Sequence, residues 1–285
     1  MLFFLSDFFL SLFLLEGLNE YYGLGEDSEI ALVGHSHLML GIDKETIEKK
    51  TGLKVSKYTR EGVNVADREI MVRQLLKSNP RVGTLIYGVD AWTFSSEGLS
   101  SNSYKLFYPF LDDESIEGYL YDNSTIDEYI TKKIIRTTRY DELLFSSSMR
   151  GYLHKWTNLK FGNVDLKMLK GNIANGRFRK IENSMGNIMV LRETLALLSE
   201  KNINVILLYV PTIDLLSNAL GPEYNKTIDI FNELAVEYDN VEFLNLQEPW
   251  SHNHDIFYDP IHLNPHGQII ITEELNKYLK ENGYY

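Results

Sequence analysis

Apolar positions in this chain fall into short unbroken runs, separated by longer segments with helical spacing. Residues 30–33 (Ile-Ala-Leu-Val), followed by Gly34, read as a buried strand. Residues 37–50 read as helical and 53–58 as a second strand. Over 65–78 the apolar positions Val65, Ile70, Val72, Leu75 and Leu76 recur at helical spacing; Pro80 closes that segment and 82–87 is a third strand. The alternation resumes with a helix over 188–201, a fourth strand over 205–210 ended by Pro211, and a helix over 228–238. A fifth strand over 241–246 and a closing helix over 268–281 complete it. Strands alternating with helices predict an α/β fold, a three-layer α/β/α sandwich around a five-strand parallel sheet of flavodoxin-like type. Ligands of such sheets bind beyond the carboxyl ends of the strands.

Two stretches leave this pattern. From about 95 to 185 the alternation stops, which predicts a helical insertion after the third strand within a domain spanning 23–285. Residues 122–180 carry 12 Lys/Arg against 6 Asp/Glu, a surplus of +6 in a chain whose total is −12. That asymmetry suits a lid that steers something acidic toward the strand ends, with Arg136, Arg139, Arg177 and Arg179 as candidate substrate-binding groups. Solvated surface charge is the plainer alternative. At the other departure, residues 1–15 are almost wholly apolar, interrupted by Ser6, Asp7 and Ser11. The run is short for a full membrane span, Asp7 is costly at mid-bilayer, and no basic leader or small-residue cleavage site accompanies it. Residues 1–22 therefore read as a membrane-anchor remnant, an interfacial helix, or a helix packed on the domain.

The chain has 285 residues and no cysteine, which excludes disulfide scaffolds, thiol nucleophiles and cysteine-held metals. A pI near 5.1 argues against nucleic acid as a partner.

Chemistry-bearing residues stand at two strand ends. Gly34-His35-Ser36-His37 follows the first strand, where a serine is exposed at the sheet edge beside the N–H groups that open a helix. A helix cap is the simpler role for that serine. Asp259-Pro260-Ile261-His262-Leu263-Asn264-Pro265-His266-Gly267 follows the fifth strand. An Asp and a His three residues apart on a turn can meet, the carboxylate holding one ring nitrogen and the other staying free as a base. A rival chemistry comes from three close pairs, His35 with His37, His252 with His254, and His262 with His266, which would hold zinc with Asp259 if they converged. Trp92, Phe94, Tyr104, Phe107, Tyr108 and Phe110 follow the third strand and are either insertion core or platforms for sugar rings.

The pairing of a first-strand Gly-x-Ser with a late Asp-x-x-His-Leu-Asn-x-x-Gly resembles the SGNH (GDSL-type) hydrolases, over about residues 28–92 and 186–282. More narrowly it resembles membrane-anchored members acting on cell-envelope polysaccharides. The resemblance implies Ser36 as nucleophile, His262 as general base and Asp259 as its orienter. It implies an oxyanion hole from Ser36, Gly62 in Arg60-Glu61-Gly62-Val63-Asn64, and the residue at 90 in Gly88-Val89-Asp90-Ala91. His35 stands where the name-giving motif has Asp, and Asp90 where the family has an Asn that donates to the oxyanion. Three outcomes stay open: Asp90 is protonated, Asn64 replaces it, or catalysis is weak. The Gly-x-Ser-x-Gly pattern of α/β-hydrolases is absent, since residue 38 is Leu. The implied function is a serine esterase or O-acyltransferase on an acylated envelope glycan, extracytoplasmic, membrane-anchored through the N-terminus and needing no metal or organic cofactor. The implied alternative is a catalytically weak glycan-binding or assembly protein that keeps the fold.

Overall fold

The computed structural model describes residues 2–95 and 100–285. Its first elements are α1 (Leu2–Tyr22), β1 (Ile30–Gly34), α2 (Ser36–Gly41), α3 (Lys44–Thr51), β2 (Val55–Thr59), α4 (Val65–Ser78) and β3 (Thr84–Val89). Four helices follow: α5 (Glu114–Asn123), α6 (Ile126–Ile134), α7 (Glu142–Tyr152) and α8 (Leu166–Ala174). The chain then runs through α9 (Met185–Glu200), β4 (Asn204–Tyr209), α10 (Asp214–Leu220), α11 (Pro222–Glu237), β5 (Val241–Asn245) and α12 (Pro265–Glu281).

The strands pair in the order β2-β1-β3-β4-β5, every pair parallel. This is a three-layer α/β/α sandwich with the flavodoxin-like strand order. Every residue of β1, β2 and β3 is buried, so their two-residue alternation is invisible in the sequence. Side chains go alternately to two cores. Ala31, Val33, Leu85, Tyr87, Leu207 and Tyr209 join α4, α9 and α11, while Ile30, Leu32, Ile86, Ile206 and Leu208 join α3, α10 and α12.

The segment read as one helix over 37–50 is two. The chain leaves α2 at Ile42, and Asp43 restarts it by accepting the Thr46 N–H at 3.1 Å. The helix read over 228–238 begins earlier, at Pro222, a residue suited to a first helical turn.

Between β3 and α9 the described residues form helices joined by irregular loops and fall into two parts. Residues 96–99, within the predicted insertion, lie outside the described residues. The part around α5 and α7 places Phe107, Tyr108, Ile116, Leu120 and Leu144 in the same core as Leu18 and Tyr22 of α1. The later part reaches the opposite core through Leu169 of α8, and there the Val164 N–H donates to the Phe257 carbonyl at 3.0 Å.

Helix α1 packs on α7 backbone to backbone: a Cβ on Gly151 would lie 1.9 Å from the Gly17 carbonyl oxygen. Ser148 and Tyr152 hydroxyls donate to the Leu14 and Phe13 carbonyls at 2.7 and 2.6 Å. Its buried stripe is Asp7, Ser11, Leu14, Gly17, Leu18, Tyr21 and Tyr22. Asp7 accepts the N–H groups of Arg136 (2.8 Å) and Thr137 (2.9 Å) and the Thr137 hydroxyl. The first half of α1 is thus turned inside out: Asp7 and Ser11 point inward, while Phe3, Phe4, Phe8, Phe9, Leu10, Leu12 and Phe13 are exposed.

Candidate active site

Glycines let α2 sit on the strand ends. A Cβ on Gly34 or on Gly88 of the neighbouring strand would lie 2.9 Å from the Leu38 side chain, so both positions must stay bare for α2 to dock. Ser36 opens α2, and the His35 side chain caps it by accepting the His37 N–H on Nδ1 at 3.2 Å. The far end of α2 is held from two sides. Lys57 of β2 donates to the Met39 (2.8 Å) and Ile42 carbonyls, and Gln268 of α12 donates to the Leu40 carbonyl at 2.7 Å. Burial pushes the Lys57 amine down to about 7.

The second strand-end motif folds into a tight turn. The Tyr258 N–H donates to the His262 carbonyl at 2.8 Å, and Phe257 bridges Leu263. Inside it, Asp259 Oδ1 accepts the N–H groups of Ile261 and His262, both at 2.9 Å, and Oδ2 lies 2.8 Å from His262 Nδ1. Burial pushes the Asp259 carboxyl up, but the His262 ring and these two N–H groups outweigh it and hold it below its ordinary value. Asn264 caps α12 by accepting the His266 and Gly267 N–H groups, while its amide donates to the Asp255 carbonyl at 2.8 Å and the Asn163 side chain at 3.1 Å. A Cβ on Gly267 would lie 2.4 Å from the Ile256 oxygen. The Leu-Asn-x-x-Gly portion of the motif is thereby a clamp under the turn.

The two motifs meet: His262 Nε2 lies 2.8 Å from Ser36 Oγ. With Asp259 ionised, the neutral ring carries its hydrogen on Nδ1, which leaves the Nε2 lone pair toward the Ser36 hydroxyl. The carboxylate–imidazole–hydroxyl chain has the geometry of a nucleophile with its base and orienter.

The proposed oxyanion groups fare differently. Gly62 follows β2 with φ +77°, a conformation that favours glycine. Asn64 caps α4: its Oδ1 accepts the Asp67 N–H at 2.9 Å, and Asp67 accepts the Asn64 N–H at 2.8 Å in return. The surroundings of Asp90 favour its ionised form, which weighs against the protonated outcome left open. Burial pushes its carboxyl up, but His35, His37, Arg68 and the Trp92 N–H outweigh it and bring it down to about 2. Asp90 Oδ1 accepts the Trp92 N–H (2.8 Å) and the Thr93 hydroxyl (3.2 Å). An ionised carboxylate has no hydrogen to donate, so in that form Asp90 offers an oxyanion no donor.

Beside the turn lies a cavity of about 360 Å³ lined by Trp92, Leu169, Arg177, Phe178, Arg179 and Asp259, among others. Two of the four candidate arginines are therefore at the site, with the Arg179 guanidinium 5.9 Å from the centre of the Trp92 ring. The other two are not. Arg136 and Arg139 both pair with Asp112, at 2.7 and 3.0 Å, beside α1, and Arg139 is buried there. Sequence spacing could not separate them, because all four lie in one basic segment whose tertiary partners are distant in sequence. Leu169 and Phe178 were not singled out in the sequence; the helical spacing of Leu166, Leu169 and Ile173 is the signal that could have found the first, and Phe178 has none. Of the six aromatics after β3, Trp92 lines this cavity, whereas Phe94, Phe107, Tyr108 and Phe110 are buried in the core.

The three histidine pairs do not form one cluster: His35, His37 and His262 come together, with ring centroids 4.8 and 5.3 Å apart, while the other three pair members do not join them as that zinc site would require. His252 Nδ1 and His254 Nε2 share Asp214, at 3.0 and 2.7 Å, and His266 is exposed on the first turn of α12. His35, His37 and Asp90 do bring one potential ligand atom each within 4.8 Å of one another. Yet His35 Nδ1 accepts an N–H, so the neutral ring keeps its hydrogen on Nε2 and offers a cation no lone pair there.

No family model matches this sequence, and no curated protein matches it. Among solved structures it is similar to a GDSL-like lipase from Bacteroides thetaiotaomicron, at 9% identity and a TM-score of 0.43, covering 90% of each chain. It is also similar to a candidate acylhydrolase from Bacteroides fragilis, at 8% identity and a TM-score of 0.44, covering 89% of this chain and 86% of the other. Both likenesses are distant ones.

Proposed function

We propose that this protein is an SGNH-type serine esterase or O-acyltransferase that works through an acyl-Ser36 intermediate. The observation that carries this is the hydrogen-bonded chain from Asp259 through His262 to Ser36, with 2.8 Å at each link to the ring. As the Ser36 oxygen attacks the ester carbonyl, His262 Nε2 takes its proton, and the imidazolium is stabilised by ionised Asp259. The same proton then goes to the departing alkoxide, leaving the acyl group on Ser36. Water or a sugar hydroxyl, losing its proton to His262, attacks the acyl carbonyl and restores the serine. Water makes the enzyme an esterase and a sugar hydroxyl makes it a transferase.

The substrate class we propose is an acylated, anionic polysaccharide of the cell envelope. Support comes from the cavity beside Asp259, where Phe178 offers an apolar face for a sugar ring and Arg177 offers charge for a carboxylate or phosphate, with Trp92 and Arg179 stacked in the wall behind them. A place at a membrane surface is supported by the outward Phe and Leu residues of α1, which suit lipid better than water, and the proposed substrate would put it on the extracytoplasmic side.

Turnover of a short-chain aryl ester tests the assignment. Ser36→Ala and His262→Ala should each lower kcat by about 10⁴-fold or more, the scale on which members of such a unit act. Unchanged turnover in the Ser36→Ala protein would refute it. Chelator should leave the rate unaffected.

A further inference from the structure

His35 and Asp90 are buried beside Ser36, in contact with each other. His35 Nε2 lies 3.1 Å from Asp90 Oδ2, a charge contact in which the ring N–H is turned too far aside to make a hydrogen bond. On its other side the ring accepts the His37 N–H on Nδ1. A ring nitrogen that accepts an N–H carries no hydrogen, so neutral His35 has its hydrogen on Nε2, the nitrogen beside the carboxylate. Asp90 is itself fixed to the end of β3: besides the two bonds to Oδ1, its own N–H donates to Thr93 Oγ1 at 2.8 Å. An unbroken line of polar contacts thus runs from β3 through Asp90 and His35 to the N–H of His37, spanning the residue that bears Ser36 Oγ.

We propose that Asp90 and His35 act as one positioning unit, in which the carboxylate sets the tautomer of His35, and His35 holds the turn that keeps Ser36 Oγ within reach of His262. Neither group touches the reacting atoms. The proposal rests on Ser36 being the nucleophile. It gives the carboxylate at position 90 a task that an amide there cannot perform. An Asn at 90 that still accepts the Trp92 N–H turns its NH₂ toward the His35 Nε2–H, donor against donor. His35 then rotates away or moves its hydrogen to Nδ1, where it opposes the His37 N–H, and the turn loosens.

Asp90→Asn is therefore expected to lower kcat on the aryl ester by about 10²-fold, the cost of a small misplacement of a reacting group, with KM within about twofold of the parent. His35→Asp sets two carboxylates against each other and is expected to lose as much. The double variant His35→Asp/Asp90→Asn exchanges the polarity across the contact. Its carboxylate at 35 accepts the His37 N–H as a good helix cap, and its amide at 90 donates to that carboxylate. It should recover about tenfold over either single variant, the non-additivity expected of residues in contact. A purely structural role would lower the amount of folded protein without this pattern in kcat. Asp90→Asn turning over within twofold of the parent, or a double variant no better than the singles, would overturn the proposal. The tautomer is read without any activity: a ¹⁵N–¹H spectrum of the parent should show His35 with its hydrogen on Nε2. A hydrogen on Nδ1 would overturn the pair, whatever becomes of the esterase assignment. A parent without Ser36-dependent turnover would overturn the esterase assignment and leave the spectrum to judge the pair.

Discussion

His37 bears the energetic consequence of crowding imidazoles around a buried carboxylate. Its ring lies 5.3 Å from that of His262 and 4.8 Å from that of His35, and its Nε2 is 3.7 Å from Asp90 Oδ2. Burial outweighs the attraction of Asp90 and brings it down to about 4, from an ordinary value of 6.5. Between those values the unfolded chain takes a proton at His37 that the folded protein refuses. Stability therefore rises with pH across that window and falls as the solution is acidified through it. Denaturation by urea should show the parent losing up to about 3 kcal/mol between pH 7 and pH 4 through this group, at about 1.36 kcal/mol per pKa unit. His37→Gln, which cannot take a proton, should have a correspondingly shallower slope. Equal slopes in the two proteins would mean that His37 is already protonated, or reached by water, in the folded state.

Helix α1 turns the meaning of Asp7 around. In the sequence Asp7 breaks an apolar run and counts against a membrane location. In the fold it is buried, satisfied by the N–H groups of Arg136 and Thr137, and leaves the rest of its two turns to face outward as Phe and Leu. No local pattern shows this, because the partner groups lie more than 120 residues along the chain. Phe3, Phe4, Phe8 and Phe9 are 59%, 56%, 39% and 64% exposed. Sedimented or floated lipid vesicles should carry the full chain. The variant with all four changed to Ser should bind at least about 100-fold more weakly, since burying one Phe is worth about 1.5–3 kcal/mol. Equal binding would remove α1 from the membrane contact, while Asp7→Ala should instead loosen the docking of α1 on the insertion.

For the molecule as a whole, what was legible in the sequence is what short-range chemistry decides. Strands β1, β3 and β4 stood out as apolar runs because the middle of a parallel sheet is buried on both faces, whereas the edge strands β2 and β5 carry Ser56, Lys57, Glu242 and Asn245. The Asp259–His262 turn and the Gly34–Ser36 strand end were each written in a few consecutive residues, and a parallel sheet brings such ends to one edge. The insertion was not legible in the same way. Its later part reaches the site through α8, whose Leu166, Leu169 and Ile173 pack on the core at helical spacing, and through isolated contacts such as Val164 to Phe257 and Asn264 to Asn163, and the sequence does not show where that helix docks. The surplus of basic residues there divides between the cavity, with Arg177 and Arg179, and the Asp112 pairs beside α1, a division that only tertiary contacts fix. Asp90 belongs with these: its residue type argued against a working site, and its partner His35 became visible only when β1 and β3 were side by side. The central claim is that Ser36, activated by His262, is a nucleophile. It is tested most directly by treating the intact protein with a fluorophosphonate and locating the adduct by mass spectrometry. One phosphonyl group on Ser36, formed at a rate that collapses in the His262→Ala protein, is the expected result. Absence of an adduct on Ser36 in the folded parent, or labelling that proceeds as fast without His262, would contradict it.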